Sequence, residues 1–320
     1  MSTVADDRFA LVTVIHNSAP ELARLLDSID RHLHPRPRVI VVDDGSSDDG
    51  AELAVTRGCE VLRQERARGF GAACNAGVAA VSEPVTVLIN PDCELRDDGL
   101  RRLAHAAIER HALVAPRLLH QDGHIQDSAH PLPGGAAVLT GAFLPHRVLP
   151  ARVRSWIEPY RTTRERRVGW AIAACIAAPT ELLRALGPFD PQGFLFYEDL
   201  ELCLRAAARG YPTWLLSQIE VVHTGGTSVE RALGAEVPLL KALRRREVVR
   251  RNLGRRRLVI DDLSELATYG LRLAARTLLR RDATRDRRHL HAHLAAIRAA
   301  RGRGAGATTS RAAAGDAAGS

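Results

Sequence analysis

The sequence predicts an α/β fold: a mostly parallel sheet flanked by helices, with a helical extension at the C-terminal end. Three observations carry that prediction. Residues 9–15 (FALVTVI), 39–42 (VIVV) and 85–89 (VTVLI) are unbroken apolar runs rich in β-branched residues, the pattern of strands buried on both faces. Stretches with helical spacing separate them, so strand and helix alternate as in parallel βαβ units. From Val237 onward the spacing is helical and the charge strongly basic.

With 320 residues, 46% of them apolar, the chain can build a full core in one large or two smaller domains. Cys59, Cys74, Cys93, Cys175 and Cys203 show no paired zinc-type spacing. An odd, scattered set argues for reduced thiols in a cytoplasmic setting. The N-terminal MSTVADDRFA lacks a basic region followed by an apolar core, so no secretory signal is expected. No apolar stretch reaches the roughly 18 residues of a membrane span. The net charge of +8 is uneven: residues 241–303 carry +13, and residues 1–240 carry −5. Such a division suits a phosphate, an anionic lipid or a nucleic acid near the basic end.

In chain order, the first strand (9–15) ends at His16-Asn17-Ser18, and Pro20-Glu21 opens a helix with Leu22, Leu25, Leu26 and Ile29 at helical spacing. The second strand (39–42) runs into Asp43-Asp44-Gly45-Ser46-Ser47-Asp48-Asp49-Gly50. An acidic residue there is placed to accept hydrogen bonds from a nucleotide base or ribose. Ser46 to Asp49 fit a solvated turn and helix N-cap instead. A short third strand (60–62) precedes Arg68-Gly69-Phe70-Gly71-Ala72-Ala73-Cys74-Asn75-Ala76-Gly77, a small-residue helix that allows close backbone approach. Asn75 suits either a base or sugar contact or a local backbone contact. Its glycines lack the spacing of a dinucleotide fingerprint or a P-loop.

The fourth strand (85–89) stops before Pro91, which delivers Asp92 and Glu94 to the carboxyl end of a buried strand. Two carboxylates there suit a hard divalent cation beside a diphosphate. An Asp-containing turn has the same appearance. A helix Gly99–Arg110 and a strand at 113–118 follow. Residues 119–167, with five prolines and a run of arginines, predict a long loop-rich insertion over one side of the site, or a surface excursion. Residues 168–177 fit a strand or the start of a buried helix, and Thr180–Leu186 a short helix stopped by Gly187-Pro188.

Half of the six phenylalanines then fall in FDPQGFLFYEDLELCLR, beside Tyr197. Glu198 and Asp199 open a helix that runs to about Arg209. Carboxylates at a helix N-terminus gain from the macrodipole, but capping does not require an aromatic wall. A carboxylate beside such a wall suits a sugar site, as general base towards a hydroxyl. A strand at 214–222 ends at His223, a residue type that serves as metal ligand, phosphate donor or structural group. Basic amphipathic helices at 263–281 and 285–301 either pack on the body or lie on an anionic membrane. Residues 302–320, rich in Gly, Ala, Ser and Thr, predict a disordered tail.

Taken together, these segments resemble family-2 glycosyltransferases of GT-A fold, with its Rossmann-like sheet, and in particular bacterial rhamnosyltransferase-like members. The resemblance covers roughly residues 9–256 and weakens towards 300. VVDDGSSDDG resembles the nucleotide-contacting turn, which would put Asp43 or Asp44 at the base. GFGAACNAG, with Asn75, resembles the second donor segment. Asn90-Pro91-Asp92 stands where the family has its Asp-x-Asp metal motif; that implies Asp92 as metal ligand, Asn90 at the first acidic position and Glu94 as helper. In the acceptor motif the base would be Asp199, next to Glu198. VVHTGGTS resembles the segment whose His223 approaches metal or diphosphate, and Arg250 or Arg251 would add charge there. One departure stands out: the family commonly has Gly-Ala and then a basic residue, where this chain has AIAACIAAPT, with Ala173 at the Gly position.

The resemblance implies an inverting glycosyltransferase that uses Mg²⁺ or Mn²⁺ and a nucleotide-diphospho-sugar, such as dTDP-rhamnose. The acceptor would be a glycan or lipid-linked molecule in cell-envelope or polysaccharide synthesis. The expected location is cytoplasmic, with peripheral contact at the inner face of an anionic membrane, and no nucleic-acid partner. The expected domains are a transferase domain at 1–256, with a donor half to about 118 and an acceptor half at 168–256, then a basic helical extension at 257–301. A degenerate nucleotide- or polyanion-binding protein is the competing class. A nucleotidyltransferase would need a Gly-rich basic loop, which residues 14–20 lack.

Overall fold

The apolar run Phe9–Ile15 forms β1, buried at every residue, in the computed structural model of the chain. The structure describes residues 8–144, 149–187, 189, 196–225 and 236–315, with side chains to residue 300. After β1 come α1 (Ala19–His32), β2 (Arg38–Asp43), α2 (Gly50–Thr56), β3 (Glu60–Arg63), α3 (Phe70–Ala80), β4 (Val85–Ile89), β5 (Cys93–Leu95), α4 (Gly99–Arg110) and β6 (Leu113–Leu119). Next are β7 (Ala129–His130), α5 (Ala136–Phe143), α6 (Ala151–Ile157), β8 (Arg166–Val168), β9 (Trp170–Ala171), β10 (Cys175–Pro179), α7 (Thr180–Leu186), α8 (Glu198–Ala208) and β11 (Thr213–His223). Two long helices close the chain: α9 (Val237–Leu278) and α10 (Thr284–Gly315).

The described residues divide into two compact units. One lies within 1–132 and 150–226, the other within 133–149 and 227–320. In the first, a mixed sheet runs β3-β2-β1-β4-β10-β6-β11-β5, with β8 on β11. β1, β2, β3 and β4 are mutually parallel, and β11 is parallel to β6. β10 is inserted antiparallel between β4 and β6, with Cys175 opposite Ile89. Both β6 and β11 therefore run in the direction of β4. The carboxyl ends of β1, β2, β4 and β11 and the beginnings of β10 and β5 meet at one edge. That edge is where open α/β sheets place ligands.

Packing follows the spacing. Leu22, Leu25, Leu26 and Ile29 on α1 are fully buried in one cluster with Leu11, Ile15 and Leu103. Each such side chain contributes roughly 1.5–3 kcal/mol by leaving water. α3 lies close against β1 and β2 because it is built of small residues: a Cβ at Gly77 would sit 2.4 Å from Val12 Cγ1.

The stretch 119–167, expected to be loop-rich, contains α5, α6 and β8. AAVLTGAF and ARVRSWI supply enough alanine, leucine and arginine to form short helices despite the flanking prolines. The undecided run 168–177 resolves into strands, ending in β10.

In the second unit α9 is interrupted at Gly254, whose φ of 80° is left-handed and favours glycine. Arg245 and Asp261 are 16 residues apart yet form a bidentate ion pair with both contacts at 2.8 Å. In an unbroken helix that separation is about 24 Å, so the chain reverses at Gly254. The chain on both sides of this reversal belongs to one compact unit. Arg245 and His293 also reach Glu265, at 3.3 Å each. Burial opposes the charge on Glu265, but the Arg245 guanidinium and the contact from His293 outweigh it and hold its pKa at about 2. The backbone of α10 continues to Gly315, through residues whose composition predicted an irregular tail. Alanine and arginine there have strong helix propensity. Residues 316–320 lie outside the described residues.

Candidate active site

Asp43 ends β2 opposite Ile15, at the ligand-facing edge of the sheet, and Asp44 follows it. Both are buried, 6% and 5% exposed. Oδ1 of Asp43 accepts the Ser46 N–H at 2.9 Å. Asp44 uses both oxygens to fasten the loop before α3: Oδ1 accepts the Arg68 N–H at 2.7 Å and Oδ2 the Gly69 N–H at 3.0 Å. The two loops approach so closely at Gly45 that a Cβ there would lie 2.8 Å from the Ala67 nitrogen. Asp44 is thus committed to main chain. Asp43 keeps Oδ2 without a hydrogen-bond partner among the described residues.

Asp92 leaves the end of β4 and meets His223, the last residue of β11. Its Oδ1 lies 3.4 Å from His223 Nε2, and Oδ2 accepts the Gly225 N–H at 3.0 Å. Burial opposes ionisation of Asp92, but the imidazole and that N–H outweigh it and hold the carboxyl below its usual pKa. Asn90 Nδ2 stands 3.5 Å from the same Nε2. On the other side of the ring, His223 Nδ1 lies 2.9 Å from Gln126 Oε1, so Nδ1–H donates to the amide oxygen. Nε2 is then the ring nitrogen turned towards Asp92 and Asn90.

Asp92, Cys93 and His223 offer ligand atoms within 4.8 Å of one another. The Cys93 thiol bonds the Ala174 carbonyl at 3.3 Å, and burial pushes its pKa well up, so it stays neutral. The carboxylate and imidazole fit a hard or borderline divalent cation; a neutral buried thiol adds nothing to that set. Glu94, expected as a helper, is not in the cluster. Adjacent strand residues face opposite sides, and its carboxylate lies 3.2 Å from Arg24 Nε.

Asp199 stands in the first turn of α8. Its Oδ1 accepts the Leu200 N–H at 2.7 Å, and the main chain of Ala173 also donates to it. Burial, acting against these bonds, raises its pKa from 3.8 to about 6. The residue at 173 therefore serves Asp199 through its backbone, which alanine supplies as well as glycine. The next residue, Ala174, accepts the Asn90 N–H at 2.8 Å through its carbonyl. One dipeptide, Ala173-Ala174, thus ties Asp199 on one side to the segment carrying Asp92 on the other.

Glu198 begins α8 beside Asp199, near enough to Cys74 to help keep that thiol protonated, after burial itself. The turn before it is strained: Phe196 and Tyr197 have φ of 71° and 62°, which costs roughly 1–2 kcal/mol per non-glycine residue. Tyr197 faces Trp170 with centroids 6.1 Å apart, and Trp170 stacks on His130 at 4.1 Å. An aromatic wall therefore exists, but only part of it comes from the expected cluster. Phe189 turns to Phe70 instead, 5.6 Å away, and Phe194 lies outside the described residues, as do Gly226, Thr227 and Ser228.

Asn75 clamps the Phe189 main chain, Nδ2 to O at 2.8 Å and N to Oδ1 at 3.0 Å. Both ends of its amide are spent on a segment 114 residues away. Arg250 lies in the second compact unit, exposed on α9. Sequence reasoning missed Gln126, Trp170 and the Ala173-Ala174 backbone. None carries a local signal, because each acts through a partner distant in the chain.

Residues 10–179 match the model of the family described as Glycosyl transferase family 2. The chain is similar to the N-acetylglucosaminyl-diphospho-decaprenol L-rhamnosyltransferase of Mycobacterium tuberculosis, 26% identical over 248 residues that cover 70% of this chain and 78% of that one. It is also similar to the pre-mycofactocin glycosyltransferase of that organism, 31% identical over 62% of this chain and 39% of the other. Among solved structures, a mannosyltransferase from Pyrobaculum calidifontis in complex with GDP-Man and Mn²⁺ aligns with a TM-score of 0.58 and 15% identity, covering 98% of this chain and 82% of that one. GalNAc-T7 with UDP, GalNAc and Mn²⁺ aligns at 0.54 and 16%, covering 75% and 51%. At such identities these likenesses establish the fold, the GT-A type of glycosyltransferases.

Proposed function

The chain belongs to glycosyl transferase family 2, and we propose that it moves a sugar from a nucleotide-diphospho-sugar to a glycan or lipid-linked hydroxyl with inversion at the anomeric carbon. The observation that carries this reading is the Ala173-Ala174 bridge, which ties a carboxylate of raised pKa to the segment bearing Asp92 at one sheet edge. Asp199 is the general base. With a pKa of about 6 it is ionised at neutral pH yet basic enough to take the acceptor proton. The acceptor oxygen bonds to the anomeric carbon while the bond to the diphosphate oxygen breaks on the opposite face, and the nucleoside diphosphate leaves. Asp92 and His223 would hold Mg²⁺ or Mn²⁺, which would neutralise charge on that leaving group.

The name of the mycobacterial relative supports L-rhamnose as the sugar and a lipid-linked acceptor, so dTDP-rhamnose is the first donor to try. Such an acceptor implies work at the inner face of a cell membrane. Among the described residues no helix is long and apolar enough to cross one. The reading is tested by incubating the protein with UDP-, dTDP- and GDP-sugars and a lipid extract, then following nucleoside diphosphate release and the anomeric configuration by NMR. Release from one donor family with an inverted product supports it. Retention, or no release from any donor, refutes it.

Two further outcomes are expected. Asp43→Ala weakens nucleotide binding at least tenfold, about 1.4 kcal/mol, because its free oxygen is the one available to a base or ribose. Asp44→Ala instead lowers thermal stability, because two main-chain N–H groups lose their acceptor. Calorimetric titration beside thermal melts separates the two; equal effects on binding would contradict the division. Gln126→Leu removes the acceptor of His223 Nδ1–H. Second-sphere partners of this kind are worth about 10- to 100-fold in metal affinity. A weaker Mn²⁺ affinity, with a changed ¹⁵N tautomer pattern at His223, is the expected result. An unchanged tautomer would exclude that role.

A further inference from the structure

The second segment of α9 exposes an apolar stripe. Leu278 is 85% exposed, Leu263 56%, Val259 51% and Leu271 48%. With Ala267 and Ala274 these residues fall within about 120° on an ideal helix, over about 29 Å of its length. The stripe contains no charged residue. Arg255 and Arg256 stand exposed at one end, and Arg280 and Arg281 at the other. Most acidic groups of this unit turn elsewhere: Asp261 and Glu265 pair with Arg245, Asp262 with Arg246, Asp286 with Arg276 and Glu247 with Arg244, while Asp282, exposed beside Arg281, accepts the Thr284 N–H.

From this arrangement we infer that the stripe is a docking surface for an anionic lipid bilayer. An apolar helix face bounded by arginines lies at the level of the headgroups, with its leucines among the acyl chains and its cations on lipid phosphates. The charges decide against a second copy as occupant. In either a parallel or an antiparallel pairing, the basic end of one stripe meets a basic end of the other. The inference stands on the second compact unit alone and goes beyond the transfer chemistry. A lipid-linked acceptor would give the docking its use.

The test is cosedimentation of the full chain with vesicles of phosphatidylcholine, alone or mixed with phosphatidylglycerol. Native protein is expected to bind the anionic vesicles at least about tenfold more tightly than the neutral ones, and less tightly as salt rises. Combining Leu263→Gln, Leu271→Gln and Leu278→Gln should cost at least about tenfold on anionic vesicles, with helicity and donor binding retained. Tryptophan emission of a Leu278→Trp chain should shift to the blue on those vesicles. Full vesicle binding by the triple variant overturns the inference, since arginines alone would then suffice. So does a native dimer that the triple variant dissociates, or no vesicle binding by the native chain. Donor binding, measured in the same proteins, distinguishes failure of the docking surface from failure of the transferase reading.

Discussion

Asp199→Asn is expected to lower turnover by about 100- to 10,000-fold, the range that a positioned general base supplies, while donor binding stays within about twofold. The amide cannot take a proton, yet its oxygen still accepts from Leu200 and Ala173, so the turn should survive. In the native enzyme kcat/KM should fall as pH drops through about 6, where Asp199 gains its proton. The substitution should also stabilise the protein. The folded pKa is raised from 3.8 to about 6, so the fold favours the protonated form. The ionised form costs stability that is absent below pH 3.8, grows as pH rises and is complete above about 6. A two-unit shift corresponds to about 2.7 kcal/mol. Asp199→Asn should therefore be more stable than native by on the order of 1–3 kcal/mol at pH 7.5, with no gain at pH 3.5. Turnover and melting measured together check both signs. Native-like turnover excludes Asp199 as the base, and an unchanged melting point at pH 7.5 contradicts the raised pKa.

Asp92→Asn should abolish the cation-dependent part of donor binding, at least about tenfold or 1.4 kcal/mol, and leave the fold intact. The asparagine oxygen can keep the Gly225 N–H, whereas Asp92→Ala loses that bond as well and should also melt earlier. If the two variants lose donor affinity equally but only the alanine variant melts early, the charge on Asp92 serves the cation and the hydrogen bond serves the loop. A donor affinity unchanged in Asp92→Asn would separate Asp92 from any metal role.

The two Asp positions were legible for a simple reason. Asp43, Asp92 and His223 stand at the ends of apolar strands, and a strand's end is marked in sequence by the run that stops there. Asp199 was legible because a helix N-terminus with an acidic pair is equally well marked. The parallel half of the sheet followed from β1, β2 and β4 in the same way. The antiparallel insertion of β10 did not, because an apolar run carries no direction. The reversal at Gly254 needed the Arg245–Asp261 pair to be seen. The roles of Asn75 and Glu94 were hidden in partners: Phe189 is 114 residues from Asn75, and Arg24 lies on another element from Glu94. Gln126 gave no sign at all, since a polar residue in a proline-rich stretch is indistinguishable from any solvated one.

The most direct measurement is calorimetric titration of the native protein with dTDP-, UDP- and GDP-sugars, with Mn²⁺, with Mg²⁺ and with EDTA, repeated on Asp92→Asn. Binding of one nucleotide family that requires the cation and is lost in the variant is the expected result. Donor binding of equal strength in EDTA and in the variant, or no binding to any donor under any condition, would contradict a cation-assisted transferase site at Asp92 and His223.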